Sequence, residues 1–207
     1  MAGKRGVNVE VQPLTPERWD DLVELFGPER GAYGGCWCMF FRHLARAFAE
    51  GATAGGAQNR SALKRIVDSG RVPGLLAYLD GRPVGWVSVA PREEFGRIER
   101  SPITKRVDDR PAWSIVCFYI HRRHRGSGVA TALLEAAVDH ARASGARLVE
   151  AYPMDQAMGK IPNAGGFYGL LSMFERAGFQ EMVRRSRRRP IVRRRLRPTG
   201  RRRTGTA

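Results

Sequence analysis

The sequence predicts an α/β chain built around one mixed β-sheet. Three observations carry that prediction. Residues 112–120 are a continuous apolar run rich in Ile, Val, Phe and Tyr, the pattern of a strand buried on both faces. An amphipathic helix follows, with Ala130, Leu133, Leu134, Ala137 and Ala141 on one stripe and Gly145 at its end. Asp80-Gly81, set between apolar stretches 74–79 and 83–90, marks a tight hairpin. Helices interrupt the strands without strict alternation, so the sheet is mixed and mostly antiparallel.

Each element has its own local signal. Val7, Val9 and Val11 alternate with polar residues as on a half-buried strand. Thr15-Pro16 opens a helix whose face is Trp19, Leu22, Val23 and Phe26, and Gly27-Pro28 stops it. Residues 28–58 mix glycine, aromatic and polar residues, with a helix through part of 39–50. Asn59 or Ser61 caps a short helix with Leu63, Ile66 and Val67 inward, ended by Gly70. The 74–79 and 83–90 hairpin comes next. A loop with three prolines spans 91–111. After the buried strand and its helix, 148–152 is a strand stopped by Pro153. A loop bearing Pro162, Gly165 and Gly166 leads to a helix over 167–177, and 179–184 and 191–196 are closing strands. The order is β-α-α-β-β-β-α-β-α-β-β.

Composition narrows the class. The chain has 207 residues, 43% apolar and 27% charged, enough to bury a core without a disulfide or metal staple. We expect one domain over 1–197 and a basic, disordered tail over 198–207. The longest uncharged apolar stretches, 31–41 and 111–120, fall well below the roughly 20 residues that span a bilayer. The first residues lack an apolar secretory core, so the expected location is cytoplasmic, with no membrane partner. Cys36, Cys38 and Cys117 are then expected to be free thiols. Cys36-Trp37-Cys38 with His43 is a poor ligand set, and no metal is expected. The formal net charge is +16, and its basicity is concentrated late: 184–207 contains 12 Arg and no acid.

The chemistry is expected at the end of the buried strand, in His121-Arg-Arg-His-Arg-Gly-Ser-Gly-Val-Ala130. A helix N-terminus offers unpaired N–H groups and roughly half a positive charge. Gly126 and Gly128 let a phosphate approach the backbone, Ser127 adds a donor, and Arg122, Arg123 and Arg125 add charge. No Gly-Lys-Ser/Thr follows, which excludes a Walker loop. Thr131 stands where a dinucleotide fingerprint needs its third Gly or Ala.

The segment Arg123-His-Arg-Gly126-Ser-Gly128 resembles the Gln/Arg-x-x-Gly-x-Gly/Ala signature of the GNAT superfamily of acyl-CoA N-acyltransferases. Phe174-Glu-Arg-Ala-Gly178-Phe179 resembles that family's Tyr-x-x-x-Gly-Phe, and the element order is similar from about residue 7 to 197. The resemblance implies a GNAT-like fold and acetyl transfer from acetyl-CoA to a primary amine, by direct attack with both substrates bound. Backbone amides of Arg125, Gly126, Ser127, Gly128, Val129 and Ala130 would hold the CoA pyrophosphate, with Arg123 beside them. Phe118, Tyr119 and Ile120 would pair with the pantetheine arm, and an N–H there would stabilise the oxyanion.

The chain departs from the pattern at two places. The family's proton-donating Tyr falls on Phe174 and its Asn on Phe167; both positions would still border CoA. Tyr168 is the nearest replacement acid. On a continuous helix it lies about 120° round from residue 174, at roughly 100° per residue. Tyr119 is another candidate. Glu150 is the leading carboxylate for the base. Tyr33, Trp37, Cys38 and Phe41 either wall an acceptor pocket or pack the core. The acceptor stays open, and the resemblance is compatible with a homodimer.

Two other readings stand beside the enzyme. Phe174 in place of Tyr suits a non-catalytic acyl-CoA-binding regulatory module. The Arg-rich 184–203 could contact nucleic acid, although no aromatic residue is interleaved to stack bases.

Overall fold

The structure, a computed structural model, describes residues 8–28, 31–159 and 163–197. Val7, Pro162 and the expected tail 198–207 lie outside the described residues. Among those described, strands β1 (Glu10–Pro13), β2 (Gly74–Leu79), β3 (Arg82–Pro91), β4 (Trp113–Ile120), β5 (Leu148–Ala151), β6 (Gln180–Ser186) and β7 (Arg189–Arg195) form one sheet. Its order is β1-β2-β3-β4-β5-β7-β6. Every neighbouring pair is antiparallel except β4 and β5, which run parallel. The helices are α1 (Trp19–Phe26), α2 (Ala45–Ala52), α3 (Ala57–Asp68), α4 (Gly96–Arg100), α5 (Val129–Ala143) and α6 (Leu171–Arg176). None is long and apolar enough to cross a membrane.

The apolar stripe of α5 does what its spacing requires. Leu133, Leu134, Ala137, Val138 and Ala141 bury against Val87, Val89, Ile115 and Val149 on one face of the sheet. Each fully buried leucine there contributes about 1.5–3 kcal/mol. On the opposite face α1 and α3 bring Trp19, Leu22, Leu63 and Val67 around Trp37 and Trp86. A third cluster contains Phe41, Phe95, Ile98, Val116, Tyr152 and Ile191.

Several boundaries differ from the expectation. The first strand starts at Glu10, because its partners are Leu75–Tyr78 of β2 rather than a free valine face. The helix within 28–58 begins only at Ala45, because Trp37 and Cys38 adopt positive φ (41° and 54°) and turn the chain. α3 begins at Ala57, so neither Asn59 nor Ser61 caps it. Asn59 is buried instead and donates its Nδ2 to the Gly35 carbonyl at 2.9 Å. The 91–111 loop contains a 3-10 turn, Arg92–Glu94, and α4. The expected helix over 167–177 is two pieces, a 3-10 helix Asn163–Tyr168 and then α6. They are broken at Gly169, whose φ is +76°.

An ionic knot pins the 91–111 loop to the sheet. Glu150 on β5 has no exposed surface. Its Oε1 accepts from Arg92 Nη1 and from the Tyr152 hydroxyl at 2.6 Å, and its Oε2 accepts from Arg193 Nε at 2.6 Å. Arg193 also donates to Asp108 at 2.8 Å. Arg92 donates to Glu99 at 2.6 Å and to the Thr104 carbonyl at 2.7 Å. Both arginines are almost wholly buried, and Arg92 donates from all three of its nitrogens.

Glu150→Gln removes the carboxylate that both buried arginines share and leaves each only its more exposed acid, Glu99 or Asp108, so it is expected to lower the unfolding free energy by about 3 kcal/mol in urea titration, the low end for breaking a buried ion pair. A loss below about 0.5 kcal/mol, typical of a surface substitution, would mean the knot is solvated.

Candidate active site

β4 and β5 pair at only three positions, ending at Ile115↔Ala151. At that point β4 also carries a bulge: Ser88 faces Cys117 and Val89 faces Ile115, so Val116 is the extra residue. A bulge bends its strand and re-aims its backbone. β4 therefore continues to Ile120 along β3 with its other edge unpaired, while β5 leaves the sheet at Tyr152-Pro153.

A cleft of about 710 Å³ occupies the opening. Phe118, Tyr119 and Ile120 form its strand wall. His124, Arg125, Gly126, Gly128 and the first residues of α5, Val129–Thr131, form its far end. Gly166, Phe167, Gly169, Leu170 and Met173 form the opposite wall, with Ala32 and Tyr33 at the mouth.

The turn into α5 is built from backbone. Gly126 and Gly128 sit at φ +79° and +90°, where a side chain is strained. A Cβ at either would meet nothing within 4 Å, so the space in front of both is open. Gly128 is the N-cap and supplies no side-chain cap. Its carbonyl accepts from the amides of Thr131 and Ala132, at 3.0 and 3.1 Å. The Val129 and Ala130 amides ahead of them bond no backbone carbonyl among the described residues. Such amides at a helix start are an anion site.

The side chains of the turn do less than expected. Ser127 Oγ donates back to the His124 carbonyl at 2.7 Å, and Arg125 Nε reaches the Ile120 carbonyl at 3.4 Å. Arg123 is exposed and borders no part of the cleft. His124 lies in the cleft wall, a placement that follows from the 3-10 turn Arg122–His124.

A family model described as "Acetyltransferase (GNAT) family" matches residues 37–159. The chain belongs to this family. No curated protein matches it in sequence. Among solved structures, a histone acetyltransferase HPA2 and related acetyltransferase from Corynebacterium glutamicum is 16% identical, with a TM-score of 0.53; the match covers 93% of this chain and 99% of that one. An N-acetyltransferase from Staphylococcus aureus is 12% identical with a TM-score of 0.53, covering 92% and 99%. A putative GNAT acetyltransferase from Desulfovibrio desulfuricans is 18% identical with a TM-score of 0.51, covering 91% and 99%. At these identities what is shared is the fold.

The other site residues expected of this GNAT chain divide sharply. Tyr119 lines the cleft, with its ring edge-on to Phe26 at 5.5 Å. Tyr33 stands at the mouth, 77% exposed. Trp37, Cys38 and Phe41 are buried and border no part of this cleft. Trp37 stacks on Trp19 at 6.1 Å, Cys38 Sγ accepts from Trp86 Nε1 at 2.9 Å, and Phe41 backs Phe167 and Tyr168. Phe174 is fully buried between Phe118 and Phe179 and adds no surface to the cleft. Glu150, with both oxygens taken by buried donors, has no lone pair facing the cleft and is a poor base there.

Tyr168 lies directly behind Phe167, ring centroids 4.1 Å apart, and the Arg189 guanidinium sits 3.7 Å over its ring. Burial pushes the Tyr168 phenol above its ordinary value, with Arg189 pulling the other way. Its hydroxyl has no hydrogen-bond partner among the described residues and is not sealed from solvent. With the chain broken at Gly169, the helical phase that set Tyr168 apart from residue 174 does not apply. No group of three or more His, Cys, Asp or Glu among the described residues is placed to hold a metal.

Gly128→Val places a branched side chain in the open space before the amides. Calorimetry with CoA is expected to show binding lost, while the cooperative thermal transition persists a few degrees lower, the cost of about 1–2 kcal/mol for a side chain at positive φ. Retained CoA affinity would show that the anion lies elsewhere.

Proposed function

We propose that this chain is an N-acetyltransferase moving an acetyl group from acetyl-CoA to a primary amine, in one catalytic domain over residues 1–197. The observation that carries this reading is the continuity of one cleft from the free β4 edge to the glycine-lined start of α5. An extended arm with an anionic end needs both surfaces in line.

The pyrophosphate would rest on the amides of 125–130, where two glycines remove steric bulk and the helix dipole favours negative charge. The pantetheine would hydrogen-bond the β4 edge at 118–120 as an added strand. That leaves the thioester near the bulge, where a β4 main-chain N–H would meet the developing oxyanion. The amine nitrogen attacks the thioester carbonyl carbon, a C–N bond forms, and collapse of the tetrahedral intermediate breaks the C–S bond. Tyr168 supplies the proton that the thiolate takes up, and Arg189 over its ring stabilises the phenolate left behind. Tyr119 then serves as wall rather than acid.

Among the described residues no carboxylate lines the cleft. Besides Glu150, Glu93 pairs with Arg106, Glu94 with Arg42, Asp108 with Arg110 and Arg193, and Asp155 with Arg184. The acceptor therefore reacts as its free amine and its surplus proton leaves to solvent. Proximity and the oxyanion donor supply most of the rate.

Free CoA thiol released from acetyl-CoA in the presence of an amine panel tests the reading. CoA binding without release from any amine would instead support a binding module. Tyr168→Phe is expected to lower kcat by about 10²-fold or more with unchanged CoA affinity, the usual scale of one general acid. In the wild type, kcat/KM should climb tenfold per pH unit up to the acceptor amine's pKa. Because burial raises the Tyr168 phenol, it stays protonated through neutrality, and the fall that reports its loss lies on the alkaline side of the ordinary phenol range. Tyr168→Phe should abolish that fall.

A further inference from the structure

We propose that the end of the sheet opposite the cleft holds a second ligand site, one that takes a planar ring bearing a carboxylate or phosphate. The proposal goes beyond acetyl transfer and does not rest on it.

A cavity of about 530 Å³ lies at that end. It shares no lining residue with the coenzyme cleft. The same two elements connect them. α5 begins in the cleft at Val129 and is followed in the cavity by Ser144 and Gly145. β4 begins in the cavity at Trp113 and ends in the cleft at Ile120. At about 1.5 Å per residue, the 15 residues of α5 separate the two by about 22 Å. A ligand in the cavity therefore touches no reacting atom. The volume suits a small organic molecule, whose sites run from about 300 to 1,000 Å³.

The walls are apolar, formed by Pro91, Pro111, Trp113, Leu148 and Leu196. Trp113 is half-buried, and its ring meets His140 of α5 edge-on at 5.6 Å, which holds it in the wall. An indole held in place beside two prolines offers a flat apolar surface to a ring.

The charge at this cavity is lopsided. Arg110, Arg147 and Arg195 stand against one acid, Glu93. Glu93 is already paired with Arg106 at 3.0 Å, and Arg110 with Asp108 at 2.6 Å. Arg147 and Arg195 are exposed and enter no ion pair among the described residues. Backbone pairing keeps both at the cavity: Arg195 is the register partner of Leu148, and the Arg147 carbonyl accepts from the Leu196 amide at 2.9 Å. The C-terminus of α5 brings roughly half a negative charge. Its late carbonyls at His140, Ala141 and Arg142 are taken by the amides of Ser144, Ala146 and Gly145, so two unanswered guanidinium groups outweigh it. A carboxylate or phosphate would gain paired N–H bonds from them. A bare anion would leave the Trp113 wall uncovered, and a neutral ring would leave both arginines unanswered. A ring that carries the anion uses both surfaces.

The test is calorimetry on the protein saturated with CoA, so that the cleft is filled. Naphthoate and adenosine monophosphate are compared with naphthamide and adenosine, and with inorganic phosphate. We expect at least one ring-bearing anion to bind tenfold or more tighter than both its neutral counterpart and phosphate. Which of the two does so names the anionic group. The double variant Arg147→Gln, Arg195→Gln should bring the ratio close to one, and Trp113→Leu should weaken the ring-bearing anion severalfold. A cooperative melt shows that each variant is folded. Neither arginine lines the cleft, so preference lost with CoA affinity unchanged assigns the anion to this cavity. The proposal is overturned if neither anion outbinds its neutral counterpart, or if phosphate binds as tightly as they do. It is equally overturned if the preference survives the double variant, or if CoA affinity falls along with it. Failure of CoA to bind at all would sink the coenzyme reading and leave this one to stand or fall on the double variant.

Discussion

The three-residue parallel contact between β4 and β5 is the constraint on which the rest of the structure depends. A longer contact would close the sheet and leave no edge for a ligand; a shorter one would not hold the two halves together. What makes three pairs sufficient is the knot at Glu150, which sits at the second of them, opposite Ser114. Tyr152 contacts Ser114 on β4, Glu150 on β5 holds Arg193 on β7, and Arg92 draws in the 91–111 loop. Beyond the knot the bulge at Val116 turns the β4 edge outward. The closed end is charged and dry, the open end is main chain and aromatic, and the division falls within two residues.

That arrangement changes what the arginine-rich stretch means. Read linearly, 184–197 is a basic run suited to a polyanion. Folded, Arg184 reaches Asp155 and Glu181, Arg185 caps the carbonyls of Lys105 and Arg106, Arg193 enters the knot, and Arg189 covers Tyr168. The acids that answer these cations lie mainly elsewhere in the sequence, in the 91–111 loop, on β5 and at Asp155. Arg184 and Arg193 are thus answered by acids and Arg185 by carbonyls, and a nucleic-acid role through those three would have to compete with internal partners.

Elements whose signals are local were legible in the sequence. The β2–β3 hairpin follows from Asp80-Gly81, the α5 stripe from its spacing, and the open turn into α5 from glycines placed between a buried strand and a helix. Features that depend on long-range partners were not. The apolar character of Trp37, Cys38 and Phe41 is the same whether they line a pocket or fill a core, and only the positive φ values at 37 and 38 turn them inward. Glu150 looks like a base because it is a carboxylate on the right strand; its neutralisation by residues 58 and 43 positions away has no local signature. Arg189 is one arginine among many until the register of β7 places it past the end of β5.

Phe174 and the break at Gly169 fit one another. A side chain at Gly169 would come within 2.9 Å of Phe174 Cε2 and 3.0 Å of Met173 Cε, so the backbone turns directly against that ring. An unbroken helix through 167–177 would carry Tyr168 round the cylinder in phase with α6. Ending it at Tyr168 and restarting at Leu171 lets 163–168 lie across β4 as a separate piece. Phe174 fills the volume below the turn, and its apolar ring needs no partner there, where a phenol would. A phenol stands instead at 168, where Phe41 and Phe167 fix its ring and a guanidinium covers one face. The 168 ring and the Arg189 guanidinium thus form one aromatic and cationic layer behind Phe167.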